Sequence, residues 1–257
     1  MIMPPAFIAT GFCVGLLIGL TGVGGGSVMT PILVLVFGIQ ATTAIGTDLL
    51  FAACTKAFGT AVHGANRTVA WRLVWRLGAG SVPGAIAAIL LLGQIGVHGA
   101  AANRLSLGLL GAMLLLAAAS LAAKPWIARR GGGVRRAPPA WITIALGFGL
   151  GVTVTLSSVG AGALGTVVLI YLYPELSLAE VVGSDIAHAV LLTMVAGFGR
   201  LWLHGIDVPM LGALLAGSLP GVAIGSLLVR RAPERLLRYA IAAMLGMVGL
   251  RVLLDLA

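Results

Sequence analysis

The sequence predicts an all-α integral membrane protein of two inverted repeats, each a Gly-broken helical hairpin followed by three transmembrane helices. The first observation is composition: the 257 residues are 60% apolar and only 9% charged, whereas soluble proteins carry about 25% charged residues. The second is that the apolar residues form long blocks, and the third is that the two halves repeat the same short motifs. This composition excludes a soluble enzyme, a secreted disulfide-rich module and a disordered chain.

Eight apolar blocks divide the chain, and a helix needs about 20 residues to cross a bilayer. The blocks cover approximately residues 5–37, 41–63, 72–93, 100–123, 140–173, 178–203, 207–229 and 235–256. Most of them have a length suited to one crossing. The first and fifth would each be about 50 Å long as a single helix, which exceeds the hydrocarbon core. We therefore expect these two blocks to be broken near the middle.

Both long blocks contain a glycine-rich motif at the expected break. Thr-Gly-Val-Gly-Gly-Gly-Ser occupies residues 21–27, and Leu-Ser-Ser-Val-Gly-Ala-Gly occupies residues 156–162. Closely spaced glycines leave backbone groups that lipid cannot satisfy. Each break is therefore expected to lie against protein or a wet cavity.

Three more motif pairs indicate an internal repeat, because they follow one another in the same order and at nearly the same spacing. The pairs are Gly-Phe-Cys-Val-Gly at 11–15 with Gly-Phe-Gly-Leu-Gly at 147–151, Gly-Thr-Asp at 46–48 with Gly-Ser-Asp at 183–185, and Gly-Ser-Val-Pro-Gly at 80–84 with Gly-Ser-Leu-Pro-Gly at 217–221. We therefore predict a first transmembrane repeat at 1–123, a basic cytoplasmic linker at 124–139 and a second transmembrane repeat at 140–257.

The basic residues predict the side of the membrane on which each loop lies. Apart from Lys56, the fifteen Lys and Arg residues lie in loops or near block ends. If every block crosses once, ten of these basic residues lie on one side of the membrane and five on the other. If each broken block returns to the side from which it started, the numbers are twelve and three. The second division agrees better with the positive-inside rule. It also gives each half an odd number of crossings, so the halves are inverted and both termini lie outside the cytoplasm.

The two breaks are the predicted substrate-binding elements. The second limb of a broken helix starts with free backbone N–H groups and the positive end of the helix dipole, which attract anions. Glycines let the backbone approach a ligand, and hydroxyl side chains add donors. The alternative is that the glycines serve only tight helix packing. The predicted substrate-binding residues of the breaks are Gly24, Gly25, Gly26, Ser27, Thr30, Ser157, Ser158, Gly160, Gly162 and Thr166.

Asp48 and Asp185 each follow a small polar pair near the start of an apolar block. One interpretation is that each aspartate is a helix N-cap. The other is that its carboxyl group takes up a proton when an anion binds, which couples transport to protons. The neighbouring Thr47 and Ser184 are expected to complete the anion-binding shell.

Three further ionisable residues accompany these aspartates. Lys56 lies well inside a block, where an unpaired charge costs at least about 2.5 kcal/mol, so it pairs with an aspartate, contacts the anion or extends to the interface. His188 shares a helix face with Asp185 and is either a packed, hydrogen-bonded side chain or a proton relay. Arg200 is expected at the membrane interface or in an anion vestibule. We predict proton coupling or charge pairing by Asp48, Lys56, Asp185 and His188.

Several of these motifs resemble those of one transporter family. They are Gly-Leu-Thr-Gly-Val-Gly-Gly-Gly-Ser at 19–27, Thr-Pro at 30–31, Ala-Ile-Gly-Thr-Asp at 44–48 and Gly-Ser-x-Pro-Gly at 80–84. Together they resemble the TauE/SafE family of sulfite exporters over nearly the whole chain. The resemblance implies a bacterial inner-membrane transporter of sulfite, sulfoacetate or related sulfur-containing anions. The second half departs from the family pattern, with Gly-Ala-Gly at 160–162 and no proline at 165–167.

The predicted function is a multi-pass secondary transporter that exports such an anion by alternating access, with proton coupling as an option. The alternatives are an anion-selective channel and a transporter of another small organic anion. The sequence has no metal-ligand spacing, nucleophile elbow or Walker motif, so neither an enzyme nor a cofactor or metal is expected. The expected partners are a small sulfur oxyanion or organosulfonate and the lipid bilayer. Nucleic acid is not an expected partner, since the basic residues form no single patch.

Overall fold

Helices make up nearly all of the described chain. The structure, a computed structural model, describes residues 4–21, 26–65, 68–130, 138–160, 162, 164–228 and 234–256. The helices of these residues are α1 (Pro4–Thr21), α2 (Gly26–Leu35), α3 (Ala41–Ala65), α4 (Trp71–Ile95), α5 (Ala100–Arg130), α6 (Ala140–Ser157), α7 (Leu164–Leu172), α8 (Leu178–Trp202), α9 (Val208–Leu228) and α10 (Glu234–Leu254).

The helix boundaries follow the apolar blocks of the sequence. The first and fifth blocks each form two helices, α1 with α2 and α6 with α7, separated at the glycine-rich motifs. Five helices among the described residues are long and apolar enough to span a membrane. The prediction of an all-α multi-pass membrane protein is confirmed. Helix α5 continues to Arg130, past the end of its apolar block, so the first part of the predicted linker is helical.

The outer surface of the bundle has the character expected beside lipid. Large apolar side chains are exposed along the helices, including Leu90, Phe198 and Met247. Exposed tryptophans lie at helix ends, as at Trp75 near the start of α4 and Trp202 at the end of α8. Tryptophan favours the boundary between lipid and water, so these positions mark the two membrane interfaces.

Glycine brings the helices of two pairs, α1 with α9 and α4 with α6, into backbone contact. A Cβ atom on Gly80 of α4 would lie 1.9 Å from the carbonyl oxygen of Ile144 in α6. A Cβ atom on Gly217 of α9 would likewise lie 1.9 Å from the carbonyl oxygen of Ile8 in α1. Lipid tails are as apolar as the helix surfaces, so the hydrophobic effect does not drive helix association inside a membrane. Membrane helices therefore depend on close packing of this kind. In the predicted repeat the two contacts correspond, since each joins the first helix of one half to the fourth helix of the other.

Alanine at these contacts is expected to destabilise the bundle. Gly80→Ala and Gly217→Ala place a methyl group on a facing backbone, and overpacking of this kind costs about 1–3 kcal/mol or more. Gly149→Ala on α6 and Gly212→Ala on α9 are matched controls, because nothing lies within 4 Å of the added carbon. Thermal unfolding in detergent should show a lower midpoint for the first pair only. Equal midpoints for all four variants would contradict the packing described here.

The contacts between helices also give the helix directions. Gly46 of α3 lies against Gly205, and Gly197 of α8 lies against Leu50, so α3 and α8 are antiparallel. Helices α5 and α10 are also antiparallel, since Gly111 lies against Leu253 and Gly246 lies against Ala118. In the predicted repeat these helices correspond to each other, and in the structure they run in opposite directions.

The direction of α6 gives the path of a broken block. Helix α4 runs parallel to α8, because Ala70 lies beside Ser184 and Gly199 beside Ile89. Helix α6 runs parallel to α4, because Gly147 contacts Leu77 and Gly151 contacts Ser81. Helices α6 and α8 therefore start at the same end of the bundle. Between them α7 brings the chain back, which is the path that a hairpin requires.

Candidate anion-binding site

Asp48 lies at a buried junction of the two halves. Its Oδ2 atom accepts a hydrogen bond from Thr30 Oγ1 of α2 at 2.5 Å and another from Ser158 Oγ at 2.9 Å. Thr30 belongs to the second limb of the first break, and Ser158 belongs to the second break. All three residues are buried. Two of the predicted binding residues, one from each break, therefore converge on one carboxyl group.

Asp185 makes the corresponding contact in the second half. Thr166 Oγ1 lies 2.6 Å from Asp185 Oδ2 and also 2.6 Å from the carbonyl oxygen of Gly162. The carboxyl group packs on the first turn of α7, where a Cβ atom on Gly165 would lie 2.3 Å from Asp185 Oδ1. The positive end of a helix dipole favours negative charge at this position. In each half, a threonine of the short limb thus contacts the aspartate of the next helix.

Lys56 brings the two aspartates into one electrostatic cluster. Its side chain is 9% exposed and lies close enough to Asp48 and Asp185 to interact with both charges. The interpretation that Lys56 extends to the membrane interface is therefore wrong. Charge pairing and contact with an anion both remain consistent with its position. We call Thr30, Asp48, Lys56, Ser158, Thr166 and Asp185 the polar centre.

The N-cap interpretation of the two aspartates is also wrong. Helix α3 begins at Ala41, so Asp48 lies well inside it. Helix α8 is capped by Ser177, whose side chain accepts from the Glu180 N–H while Glu180 accepts from the Ser177 N–H. Asp185 lies beyond this first turn. The local sequence around each aspartate resembles a cap, but the chain enters its helix earlier.

The backbone of the second break adopts conformations that depend on glycine. Gly160 and Gly162 have φ angles of +125° and +116°, which other residues rarely adopt. The backbone N–H groups of Leu164 and Gly165 at the start of α7 both donate to the carbonyl oxygen of Gly160. The expectation that the limb start is left with free N–H groups is therefore wrong for these two. They are engaged within the break in the state described.

Three of the predicted serine and threonine residues bind backbone groups outside the polar centre. Ser157 donates to the carbonyl oxygen of Thr153 at 2.7 Å, within its own turn. Thr47 Oγ1 accepts from the Asp207 N–H just before α9, and Ser184 Oγ accepts from the Ala70 N–H just before α4. Thr47 and Ser184 thus fix equivalent loops. The structure does not bring them to the carboxyl groups beside them in sequence.

The other predicted residues lie at the edge of the polar centre or outside the described residues. His188 is fully buried, its Nε2 atom lies 2.9 Å from Ser81 Oγ of α4, and its ring is near enough to Lys56 to sense that charge. Ser27 is buried in the first turn of α2, which begins at Gly26. The predicted residues Gly24 and Gly25 lie outside the described residues.

Arg200, expected at the membrane interface or in an anion vestibule, is buried by the surrounding helices. Its side chain is fully buried by protein, although it lies only two residues before Trp202 at the end of α8. The guanidinium group donates to the carbonyl oxygens of Thr42 in α3 and Thr155 in α6. Its position near a block end suggested exposure, and the loop that follows it, at Gly205, closes over it. The cost of an arginine inside a span was the signal that could have identified it.

Comparison with known proteins gives a consistent assignment. The family model described as sulfite exporter TauE/SafE matches residues 7–252. The chain is 35% identical to the probable membrane transporter protein YjnA of Bacillus subtilis, over 98% of this chain and 100% of that protein. It is 24% identical to the probable membrane transporter protein YdhB of the same organism, over 94% and 97% of the two chains. No solved structure matches the chain.

Proposed function

The chain belongs to the sulfite exporter TauE/SafE family, and from this premise we propose that it exports a small sulfur-containing anion across the bacterial inner membrane. Sulfite, sulfoacetate and similar anions are the proposed substrates. The chain works as a secondary transporter rather than as an enzyme, and alternates access to the polar centre from the two sides.

The observation that carries this proposal is the bond between Ser158 and Asp48. It joins the break of one half to the third helix of the other, at a position where every side chain is buried. Polar and charged groups are costly inside a membrane and typically mark a substrate or ion pathway. Lys56 supplies positive charge, and the hydroxyl groups of Thr30, Ser158 and Thr166 supply donors. This combination suits a small oxyanion.

Inverted repeats give the alternation a structural basis. Two facts support them: corresponding helices of the two halves run antiparallel, and the α1–α9 contact has its counterpart in the α6–α4 contact. Two inverted halves have equivalent conformations that can be exchanged by rocking one part against the other. The polar centre lies between the halves, so each change between the two conformations moves access to the polar centre from one side of the membrane to the other.

Competition between carboxylate and substrate supplies a mechanism for proton coupling. Asp48 and Asp185 occupy hydroxyl donors that an anion also needs. Thr166 has one hydroxyl proton and cannot donate to both the Gly162 carbonyl oxygen and Asp185. With a proton on Asp185, the carboxyl group donates to Thr166 and Thr166 donates to Gly162. Protonation of Asp185 thus removes the negative charge that would repel the anion. The proton then crosses the membrane together with the anion.

Flux into proteoliposomes distinguishes a carrier from a channel. With labelled sulfite, a carrier gives a saturable rate, and an imposed pH gradient drives accumulation above the equilibrium level. An anion channel, the second candidate, gives passive flux that does not saturate and no pH-driven accumulation. Competition by sulfate, thiosulfate, sulfoacetate and a non-sulfur carboxylate then identifies the anion class. Failure of every sulfur anion to compete, with inhibition by the carboxylate, would contradict the proposed substrate.

A further inference from the structure

A second cluster of buried polar side chains lies at the end of the bundle where α3 begins and α8 ends. Its cation is Arg200, whose Nη1 donates to Thr42 O at 3.3 Å and whose Nη2 donates to Thr155 O at 2.8 Å. The Nε atom makes no hydrogen bond within the described part of the chain. No carboxylate of those residues lies near enough to affect the guanidinium charge.

Two hydroxyl groups at the same end also lack partners among the described residues. They are Thr42 Oγ1 and Ser106 Oγ, both fully buried. Thr42 already contacts Arg200 through its carbonyl oxygen. Ser106 lies one turn along α5 from Asn103, whose Oδ1 atom accepts from the backbone N–H of Ala41. Both hydroxyl groups therefore belong to the region where α3 starts.

The face of α5 that carries Ser106 is turned toward the end of α6. Ala102, one turn before Ser106, packs in a cluster with Leu156. Leu110, one turn after it, packs in a cluster with Val159. Ser106 thus lies between residues that share clusters with Leu156 in the last turn of α6 and with Val159 just after it, and Arg200 binds a carbonyl oxygen of that last turn.

An anion would satisfy all three of these groups. A buried cation normally pairs with a negative charge, and buried hydroxyl groups normally bind a partner. Nε–H and the two hydroxyl groups are all able to donate. A small oxyanion offers negative charge and several acceptors at once, as in other arginine-bound oxyanions.

We propose that Arg200, Thr42 and Ser106 form a second binding position for the transported anion, separate from the polar centre. This inference rests on the proposed function. In the state described this end is closed, and opening lets the anion replace the carbonyl partners of Arg200. The distribution of basic residues predicts that this end faces away from the cytoplasm. The anion therefore occupies this position as it leaves.

In the sequence, the residues of this position have no equivalents in the other half of the repeat. Aligning Asp48 with Asp185 pairs Arg200 with His63 and Thr42 with Ala179. The same alignment pairs Ser106 with Ala243, so the equivalent positions lack the arginine and both hydroxyl groups. This difference makes the two ends of the bundle unlike.

The combined variant Thr42→Val and Ser106→Ala tests the inference. Both hydroxyl groups lack protein partners in the described chain, so their removal is not expected to lower the unfolding temperature. Sulfite binding to the purified protein in nanodiscs, measured by calorimetry, is expected to show two sites in the wild type. The variant should lose one site or weaken it about tenfold or more, as expected for lost hydrogen bonds to a charged ligand. Arg200→Gln should weaken the same site but also loosens α3 and α6.

Thr143→Val and Ser218→Ala provide matched controls. Each removes a buried hydroxyl that already has a protein contact, to Tyr173 or to the Leu215 carbonyl oxygen. Both controls should bind sulfite as the wild type does. Wild-type affinity and two sites in the Thr42→Val, Ser106→Ala variant would overturn the second position and leave the proposed function intact. If the wild type binds none of sulfite, sulfate, thiosulfate and sulfoacetate, both proposals fail.

Discussion

Asp48→Asn is expected to abolish pH-driven accumulation of sulfite while the protein still folds. The amide oxygen of asparagine can accept from Thr30 and Ser158 as the carboxylate does, so the contacts between the two breaks are kept. The amide cannot take up or release a proton. Accumulation in proteoliposomes under an imposed pH gradient should therefore fall to the level of protein-free vesicles.

Exchange of labelled for unlabelled sulfite separates coupling from binding in this variant. A neutral side chain resembles the protonated carboxyl group, so exchange without a pH gradient should persist in Asp48→Asn. Asp255→Asn is a suitable control, because this residue is exposed, follows the last residue of α10 and is not part of the polar centre. Wild-type accumulation in Asp48→Asn would remove Asp48 from the coupling mechanism.

Lys56→Met is expected to lower both stability and transport. The lysine is nearly fully buried beside two aspartates. Removing one partner of a buried charge pair typically costs about 3–5 kcal/mol, because the remaining charge is left uncompensated. Folded yield and the unfolding midpoint should fall, and labelled sulfite flux should fall to background.

A second substitution shows whether Lys56 also contacts the anion. Lys56→Met combined with Asp185→Asn removes one charge of each sign and should recover much of the folded yield. If Lys56 binds the anion, sulfite binding stays lost in the double variant. Recovery of binding together with yield would mean that the lysine serves only to pair with the aspartates. Asp185→Asn alone is the reference for this comparison.

The helix pattern could be predicted from the sequence because it follows from apolar block length. The overlong blocks and the glycines within them predicted two breaks, of which the second lies between Ser157 and Leu164 while residues 22–25 of the first lie outside the described residues. The hairpin path predicted from the basic residues agrees with the helix directions in the second half. The end of α5 was missed, because a helix can continue past the apolar region through Lys124 to Arg130.

The individual contacts of the site were less predictable. Asp48 and Ser158 are far apart in sequence, and only the packing of the two halves brings them together. Thr47 adjoins Asp48 in the chain, yet neighbouring residues of a helix point in different directions, and its hydroxyl binds the loop before α9. Arg200 lies at a block end, but its burial under the loop at Gly205 and its carbonyl partners in α3 and α6 could not be predicted from the sequence. The sequence motifs thus identified the aspartates, but adjacency in the sequence did not identify the residues that hydrogen-bond to them.

The most direct test of the account is to locate the bound anion. Selenite has the shape and charge of sulfite, and its selenium atom gives an anomalous X-ray signal. Crystals of the protein grown with selenite are expected to show an anomalous peak at the polar centre, within contact distance of Lys56 and the hydroxyl groups of Thr30, Ser158 or Thr166. The peak should decrease when sulfite is added in excess. Selenite bound only at the outer surface, or not displaced from the polar centre by sulfite, would contradict the claim that the two breaks form the transport site.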